Sequence, residues 1–537
     1  VGTRPKYPYE AGATPGVGWG DSRRIDVDVA GPLTDSGNVR GRFIYSHDKG
    51  NSWMDRYSHE RNVAAGLLAF DVSDADTVTV GFSQHNSDSN GSTWGNLPLV
   101  DNDGNAIHYS GRSNSIGQPW TYWNLHTQRA FVELKHDFGN DWNATLTATG
   151  QQEKQNTNML YVGGVSGDVA DAYANHTRSE AHQLLGEAKV QGPFSLFGRE
   201  HQLTFGAAYG RTHQKGQEYD EDLEHGSFFN TSFSGILAGN TPMPSFGVTS
   251  DDLAQNFQDT QKSVFAGARF SLADNLHWIA GARMLSADGK GESYGSEHST
   301  RAHGKVTPYT GLVYDLNEAW SIYGSWTKIY NPQYNVVGTD GKLLDPLEGK
   351  SMEVGVKGSV MDQRLHLTAA LFKTEQRNVA VDAGFDGVQE VYTPGDFKSH
   401  GVELQASGEV TPGLDLLAGY TYVRIDDDNG ERARKYVPAH SLRGMVTYRL
   451  PTLPQMKVGA RVSWQTGVEN DTNSAIHQNA YGLVDLMTSY DIDSNWSTSL
   501  NLNNVTDRKY LLSLYNNATT ASYGAPRNLT ASVTWKY

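Results

Sequence analysis

Cysteine is absent from this chain of 537 residues, and long apolar runs are absent as well. Without cysteine, the chain has no disulfide, no thiolate metal ligand and no cysteine nucleophile. Hydrophobic residues make up only 37% of the chain and the mean hydropathy is −0.54, and no run approaches the roughly eighteen apolar residues of a transmembrane helix. Disulfide-stabilised and helical membrane proteins are therefore excluded as interpretations.

Positive charge is scarce, and two familiar catalytic motifs are missing. The net charge of −16 argues against a nucleic acid as partner, because phosphate backbones require a basic surface. The sequence contains no His-Glu-x-x-His zinc helix and no glycine-rich phosphate loop. We therefore do not expect an enzyme, although a surface enzyme stays a third hypothesis because catalytic triads are assembled in space.

The chain ends in ten residues that alternate strictly between apolar and polar side chains. The apolar face of the predicted strand carries Leu529, Ala531, Val533, Trp535 and Tyr537, and its polar face carries Asn528, Thr530, Ser532, Thr534 and Lys536. A tilted strand of about ten residues is long enough to cross a bilayer. The C-terminus is therefore predicted to be a membrane-crossing strand with one lipid face.

The same alternation recurs along the whole chain. Its apolar positions include Val78, Val80 and Phe82, then Leu146 and Ala148, then Ile322 and Trp326, then Leu365, Leu367 and Leu371, and finally Leu500 and Leu502. Such strands have low hydropathy because every second residue faces a polar interior. The 57 glycines, 27 tyrosines and 12 tryptophans fit turns and interfacial aromatic girdles. We predict an all-β fold, a transmembrane antiparallel up-and-down β-barrel.

Short connections rich in turn-forming residues alternate with long polar connections. The short ones are 35–38, 74–76, 139–141, 274–275, 317–319, 361–364, 411–413 and 493–495, and the long ones are 90–124, 163–177, 221–256 and 382–396. The segments between them predict about 22 strands, with short periplasmic turns and long extracellular loops. The first strand is predicted over 7–18, where Pro8 and Pro15 suit an edge or bulged position.

A soluble repeat protein such as a propeller is the structural alternative to a barrel. It would need repeats of similar length that share a motif, and the sequence shows no such repeats. No linker or change of composition divides the chain, so residues 1–537 are predicted to form one barrel domain.

Several motifs resemble those of TonB-dependent outer-membrane ferric-siderophore receptors. The C-terminal motifs are Asn503-Asn-Val-Thr-Asp-Arg-Lys-Tyr510 and Tyr523-Gly-Ala-Pro-Arg-Asn528, and the others lie at 29–34, 37–42, 92–98, 307–314, 323–333 and 401–404. The likeness covers essentially the whole chain. It is greatest to receptors for ferric pyoverdine, ferric coprogen and ferrioxamine-type hydroxamates.

The resemblance implies uptake of a ferric siderophore across the Gram-negative outer membrane. Family members carry an N-terminal plug domain behind a TonB box, on which the TonB–ExbB–ExbD system pulls. Neither is recognisable here, so we expect the barrel domain without plug, TonB box or signal peptide. A passive, plugless diffusion pore is then the alternative function. Other expected partners are lipopolysaccharide and outer-membrane lipid, and phages or bacteriocins at the loops.

Aromatic side chains occupy places that match the family's barrel contribution to ligand binding. They are Trp94, Trp120, Tyr122, Trp123, Tyr330 and Tyr334, with Tyr515 in the last loop as a further candidate. Aromatic faces suit a large organic chelate, and since the iron arrives inside that chelate we expect neither a cofactor nor metal ligands. The alternative is that these rings belong to the outer aromatic girdle. Tyr122 and Trp123 must face opposite sides of a strand.

Three other features have a functional and a structural interpretation. Arg432, Arg434 and Lys435 lie beside the acidic run 426–428, so they are candidates for electrostatic contact with an anionic chelate, although a solvated loop is favoured. His298 and His303 lack a carboxylate or cysteine framework, so we expect no metal site there. Tyr537 resembles the terminal aromatic residue by which the family's barrels are recognised for outer-membrane assembly.

Overall fold

The strands of the computed structural model close into a barrel. The structure describes residues 10–18, 20–220, 229–246, 254–293, 295–385, 390–512, 514 and 519–537. Within these residues, 22 antiparallel strands form the wall of the barrel. The predicted fold class and number of strands are confirmed.

In chain order the elements are β1 (Glu10–Gly18), β2 (Ser22–Pro32), β3 (Val39–Asn51), β4 (Ser58–Asp71), β5 (Asp76–Asn90), β6 (Leu97–Pro98), β7 (Tyr122–Gly139), β8 (Trp142–Ser166), β9 (Val169–Leu196), β10 (Arg199–Asp220), β11 (Phe229–Ser232), α1 (Phe233–Ala238), β12 (Gln255–Ala273), β13 (Leu276–Ser293), β14 (Ser296–Asp315), β15 (Trp320–Asn331), β16 (Leu347–Val360), β17 (Leu365–Phe385), β18 (Glu390–Thr411), β19 (Leu414–Asp426), β20 (His440–Arg449), β21 (Met456–Gln465), β22 (Val468–Glu469), β23 (His477–Gln478), β24 (Tyr481–Asp491), β25 (Trp496–Asn503), β26 (Thr520–Ala521) and β27 (Asn528–Lys536). The short strands β6, β22, β23 and β26 lie in connections, and β11 pairs with β9.

The barrel closes where β1 pairs with β27. Gly12 lies opposite Lys536, and the backbone N–H of Tyr537 donates to the carbonyl of Ala11 at 2.8 Å. The register with β27 omits Pro15, which has no N–H to donate to a ladder. Pro15 nevertheless lies opposite Ile25 of β2, and β1 pairs on both sides without a register shift. The prediction of an edge or bulged position is therefore wrong for Pro15, whereas Pro8 lies outside the described residues.

The two faces of the wall differ as the alternation predicts. One register row across β2 to β5 consists of Val29, Phe43, Gly66 and Phe82. Both phenylalanines stand away from the wall, with 51% and 52% of their surface exposed. Two neighbouring positions on the opposite face are charged, and Arg42 forms an ion pair with Asp28 there. Apolar side chains therefore face lipid and charged side chains face the lumen.

The predicted short turns all join strands at one end of the barrel, which we call the turn end. Turn side chains bind the turn backbone: Asn317 Oδ1 accepts hydrogen bonds from the N–H groups of Ala319 at 2.9 Å and Trp320 at 3.0 Å. The connections at 197–198 and 450–455 belong to the same end but were not predicted. The opposite end, which carries the longer connections, is called the loop end.

Two of the predicted long loops are wrong, because residues 163–177 and 382–396 lie largely in paired strands. Val162 lies opposite Ala172 in the first hairpin, and Asp382 lies opposite Tyr392 in the second. A hairpin in water still satisfies its backbone through its own ladder. The polar composition therefore marked where these strands leave the membrane and not where they end. Residues 91–121 do form an irregular loop with only β6 in it, and the loop predicted at 221–256 lies partly outside the described residues.

The largest buried apolar cluster of the described residues lies at the loop end. Leu160, Val162 and Ala172 of the β8–β9 hairpin pack against Ile116 of residues 91–121 and Ile236 of α1. Helix α1 is short, and none of the described helical residues forms a span long and apolar enough to cross a membrane. The cluster holds separate connections together and positions the side chains described next.

Candidate functional site

The connection 91–121 crosses the loop end and contacts the connection before β27. Leu97 of β6 lies opposite Ala521 of β26. Lys509 Nζ donates to the carbonyl of Tyr109 at 2.9 Å, and burial raises the pKa of the Tyr109 hydroxyl. A loop that is held at several points presents its side chains in a defined arrangement.

Trp94, Tyr161 and Tyr173 form an aromatic cluster beside this connection. The ring centroid of Trp94 is 5.8 Å from that of Tyr161 and 5.5 Å from that of Tyr173. The two tyrosines are cross-strand partners, and alternation from the exposed, lipid-facing Leu146 places both on the lumen face. Gly95 has a φ of 72°, and a Cβ there would lie 3.0 Å from the Tyr161 ring. Trp94 thus lies on the tyrosines because its neighbour has no side chain, and 37% of its surface stays exposed.

Acidic side chains approach the aromatic cluster from the β17–β18 hairpin. Burial raises the pKa of the Tyr161 hydroxyl, and the negative charges of Glu390 and Asp382 raise it further. Glu390 Oε2 accepts a hydrogen bond from the hydroxyl of Tyr392 at 3.0 Å, and the N–H of Tyr392 donates to the carbonyl of Val337 at 2.9 Å. Rings beside carboxylates suit an organic ligand that carries positive charge.

The predicted rings at 120–123 have three different environments. Trp120 Nε1 donates to the carbonyl of Thr241 at 2.9 Å, so Trp120 braces the segment after α1. Tyr122 and Trp123 lie on opposite faces of β7, as predicted, with Trp123 on the lumen face. The Tyr122 hydroxyl donates to Asn156 Oδ1 at 3.4 Å on the outer face. Of these rings, Trp123 has the position that a ligand-lining residue needs.

Tyr330 and Tyr334 come together in a second aromatic region. Both pack against Leu285 and Ala287 of β13, on the face opposite to the lipid-facing Met284. Burial raises the pKa of Tyr334 to about 12. The two rings therefore lie on the lumen side but are half-buried, with less free surface to offer a ligand than Trp94.

Arg434 and Lys435 hold one loop of the loop end to the next. Their backbone N–H groups donate to the carboxylate of Asp471 at 2.9 Å and 2.6 Å. The guanidinium of Arg434 lies 4.5 Å above the ring of Phe397. Arg432 is exposed. These contacts fit the structural interpretation of the basic cluster, and its contact with a chelate stays a prediction.

The remaining candidates lie apart from the aromatic cluster. Tyr515 lies outside the described residues, and Tyr537 lies at the barrel seam with 77% of its surface exposed. His303 Nε2 is 3.8 Å from Asp288, and in the described part of the chain no group of three or more His, Cys, Asp or Glu side chains is placed to hold a metal ion. A Gly-x-Ser-x-Gly pattern at 291–295 lies where β13 gives way to β14, whereas a nucleophile elbow joins a strand to a helix.

Sequence reasoning missed three residues that build the site, Tyr161, Tyr173 and Gln118. Tyr173 was missed because it lies in the predicted loop 163–177, although alanine at every second position from Ala170 to Ala174 is a strand signal, and Tyr161 lies just before that predicted loop. Gln118 is fully buried, and its amide nitrogen donates to the carbonyl of Ile236 at 2.9 Å. No local sequence pattern predicts a hydrogen bond between residues so far apart in the chain.

Comparisons with known proteins agree with this architecture. The family model described as TonB dependent receptor-like, beta-barrel matches residues 67–505. The ferripyoverdine receptor of Pseudomonas aeruginosa is 33% identical over 568 residues, covering 99% of this chain and 67% of that receptor, so the chain spans about two thirds of its length. The crystal structure of the outer-membrane ferripyoverdine receptor of Pseudomonas aeruginosa bound to ferripyoverdine has a TM-score of 0.90 and 30% identity, covering 100% of this chain and 72% of that chain. The structure of the FpvAI–pyocin S2 complex has a TM-score of 0.90 and 30% identity, covering 100% of this chain and 71% of that chain.

Proposed function

Because the chain belongs to the TonB-dependent receptor family and forms a β-barrel of the Gram-negative outer membrane, we propose that it receives a ferric siderophore at its loop end. The relatives compared above are named as receptors for ferripyoverdine or described in complex with it. The short turns of such barrels are periplasmic, so the loop end is the side from which the chelate arrives. Iron in a siderophore is already coordinated, and the protein recognises the organic exterior of the chelate.

The aromatic cluster is the observation that carries this proposal. Trp94 is partly exposed next to Tyr161 and Tyr173, and its backbone N–H donates to the carbonyl of Leu160 at 3.3 Å. A ring that is positioned before binding loses little conformational entropy when a ligand packs on it. Covering the exposed surface of such a ring contributes about 1 to 2 kcal/mol to affinity.

The proposed cargo is a pyoverdine-like or hydroxamate chelate. The relatives' names and the motifs at 92–98 and 323–333 favour this class. Glu390 and Asp382, which lie near Tyr161, favour a chelate whose organic part carries a cationic group. An anionic chelate would instead be repelled from this side of the loop end.

Coupling and further partners follow from the family. We extend the proposal to import energised by TonB–ExbB–ExbD through a plug domain in the full-length protein. A bacteriocin is a second ligand for the loop end, since one solved neighbour is described in complex with pyocin S2. The names of the relatives lend no support to a passive diffusion pore or to a surface enzyme.

A fluorescence titration of the full-length protein tests the proposal. Ferric pyoverdine and ferric hydroxamates should quench tryptophan emission with saturation, whereas the iron-free siderophores should bind more weakly. A Trp464→Phe variant, which removes a lipid-facing ring, should retain the saturable quenching. Absence of saturable quenching by every ferric hydroxamate and pyoverdine would refute the proposal.

A further inference from the structure

The chain contains two Asn-Gly pairs, Asn90–Gly91 and Asn429–Gly430. In such a pair the backbone nitrogen of glycine can attack the side-chain carbonyl carbon of asparagine, because glycine has no side chain that shields this nitrogen. The attack closes a five-membered imide and expels ammonia, and water then opens the imide at either carbonyl to give aspartate or isoaspartate. A pair reacts only as fast as its backbone can move into position for the attack.

The fold restrains the first pair. Asn90 is paired with Ser58 of β4 and with Tyr122 of β7. The N–H of Gly91 donates to the carbonyl of Thr121 at 2.8 Å. Gly91 is buried, and a Cβ on it would lie 2.3 Å from a backbone oxygen of the connection between β3 and β4. Its nitrogen can therefore reach the side chain of Asn90 only after several contacts have opened together.

The second pair lies at the exposed tip of a small hairpin, residues 427–431, between β19 and β20. The N–H of Asp427 donates to the carbonyl of Glu431 at 2.9 Å, and the N–H of Gly430 donates to the carbonyl of Asp427 at 3.2 Å. Asn429 and Gly430 are exposed, and a Cβ on Gly430 would meet nothing within 4 Å. Within the described residues the side-chain amide of Asn429 has no hydrogen-bond partner. This tip can deform at little cost.

We propose that Asn429 is a site of spontaneous deamidation in the folded protein and that Asn90 is protected. The reaction consumes only water and replaces a neutral side chain by a carboxylate. Isoaspartate also lengthens the main chain at 429 by one carbon atom, so the hydrogen bonds of Asp427 across the tip cannot all be kept. The change stays local, because the N–H groups of Arg434 and Lys435 are held separately by Asp471 at 2.9 Å and 2.6 Å.

Incubation of the full-length protein in detergent and mildly alkaline buffer tests this proposal. Deamidation adds about 1 Da to the tryptic peptide 425–432, which contains Asn429 and can be followed by mass spectrometry. We expect Asn429 to react at least about tenfold faster than Asn90, since an opening free energy of about 1.4 kcal/mol at Asn90 is enough for that factor. Isoaspartyl methyltransferase should transfer a methyl group from S-adenosylmethionine to the same peptide, because the imide opens partly to isoaspartate.

The chain unfolded in urea is the control, and there the two asparagines should react at rates within about twofold of each other. Asn429→Gln should abolish the mass change in peptide 425–432, because glutamine would have to close a less favourable six-membered ring, whereas Asn90→Gln should leave that change unaltered. Heat-modifiable migration in gels shows that the barrel stays folded during the incubation.

Two results would overturn the proposal. One is a reaction at Asn90 in the folded protein that is as fast as the reaction at Asn429. The other is an Asn429 that reacts in urea and stays unmodified in the folded barrel.

Discussion

Arg56 donates a hydrogen bond from Nε to the carbonyl of Gly117 at 2.6 Å, across 61 positions of sequence. Its Nη2 donates to the carbonyl of Ser115 at 2.7 Å. Burial lowers the pKa of Arg56, but a guanidinium stays charged in proteins. A charged donor contributes about 1.5 to 3 kcal/mol per hydrogen bond. Arg56 therefore ties residues 91–121, which carry Trp94, to the connection between β3 and β4.

Replacing Arg56 by methionine should loosen residues 91–121 without unfolding the barrel. Loss of the two hydrogen bonds predicts amide exchange about 10- to 100-fold faster in 91–121, with β3 and β4 unchanged because their ladders do not involve Arg56. Hydrogen exchange with mass spectrometry measures the exchange rates of residues 91–121 and of β3 and β4. Arg199→Met, which removes an exposed pair with Asp274 at the turn end, is the control. If amide exchange of residues 91–121 is unaltered in the Arg56 variant, contacts other than those of Arg56 hold this connection in place.

Removing the Trp94 ring should weaken binding of the ferric siderophore. Trp94→Ala deletes a partly exposed aromatic surface and its contacts with Tyr161 and Tyr173, so we expect the Kd to rise about 5- to 30-fold. Tyr173→Phe keeps the ring and should bind normally. Isothermal titration calorimetry gives both values. Native affinity in the Trp94→Ala variant would show that the siderophore binds to a different surface of the loop end.

Two glycines on adjacent strands should respond oppositely to valine. A Cβ at Gly81 would lie 2.3 Å from the ring of Phe131, whereas a Cβ at Gly66 would meet nothing within 4 Å. Gly81→Val should therefore cost about 1 to 3 kcal/mol of unfolding free energy. Gly66→Val should be neutral or stabilise by up to about 1 kcal/mol, since valine favours strands. Urea unfolding in lipid vesicles measures the unfolding free energy of both variants. Equal changes in the two variants would contradict the packing of Phe131 over Gly81.

The attachment of α1 should weaken in acid through Asp168. The N–H of Ser234 donates to its carboxylate at 2.8 Å and the Ser232 hydroxyl donates at 2.9 Å, and these hydrogen bonds hold the pKa of Asp168 below its usual value near 3.8. A lowered pKa in the folded state means that the contribution is complete above about pH 4 and is lost as the pH falls through the folded pKa.

Trp120 can report this change because its Nε1 donates to the carbonyl of Thr241, just after α1. Emission of Trp120, in a variant lacking other loop-end tryptophans, should shift as the pH falls below about 4. Asp168→Asn should remove the transition. Asp507→Asn changes another loop carboxylate with a lowered pKa and should leave the transition in place. A transition that persists in Asp168→Asn would assign it to a different group.

Much of the barrel was predictable because its signals are local. The period of two in residues 528–537 places Leu529 and Thr530 on opposite faces whatever the rest of the chain does. The turn at 317–319 is equally local, since Asn317 binds the backbone two and three residues ahead.

The site was less predictable because its contacts join residues far apart in sequence. Trp94 was a candidate from the sequence, but its partner Tyr173 lies in a segment that was predicted as a loop from its polar composition, and Tyr161 lies just before that segment. Trp120 looked equivalent to Trp94, yet its hydrogen bond to Thr241 gives it a bracing role. No spacing rule distinguishes the two rings.

Local sequence patterns were sufficient to predict a transmembrane barrel, its number of strands and many of the side chains that face lipid. These follow from alternation and turn chemistry, which act over a few residues and repeat in every hairpin. How far β8 and β9 project and which rings meet at the loop end became known only from the tertiary structure. Those properties depend on cross-strand register and on contacts between separate loops, because side chains become neighbours there only when the barrel has closed.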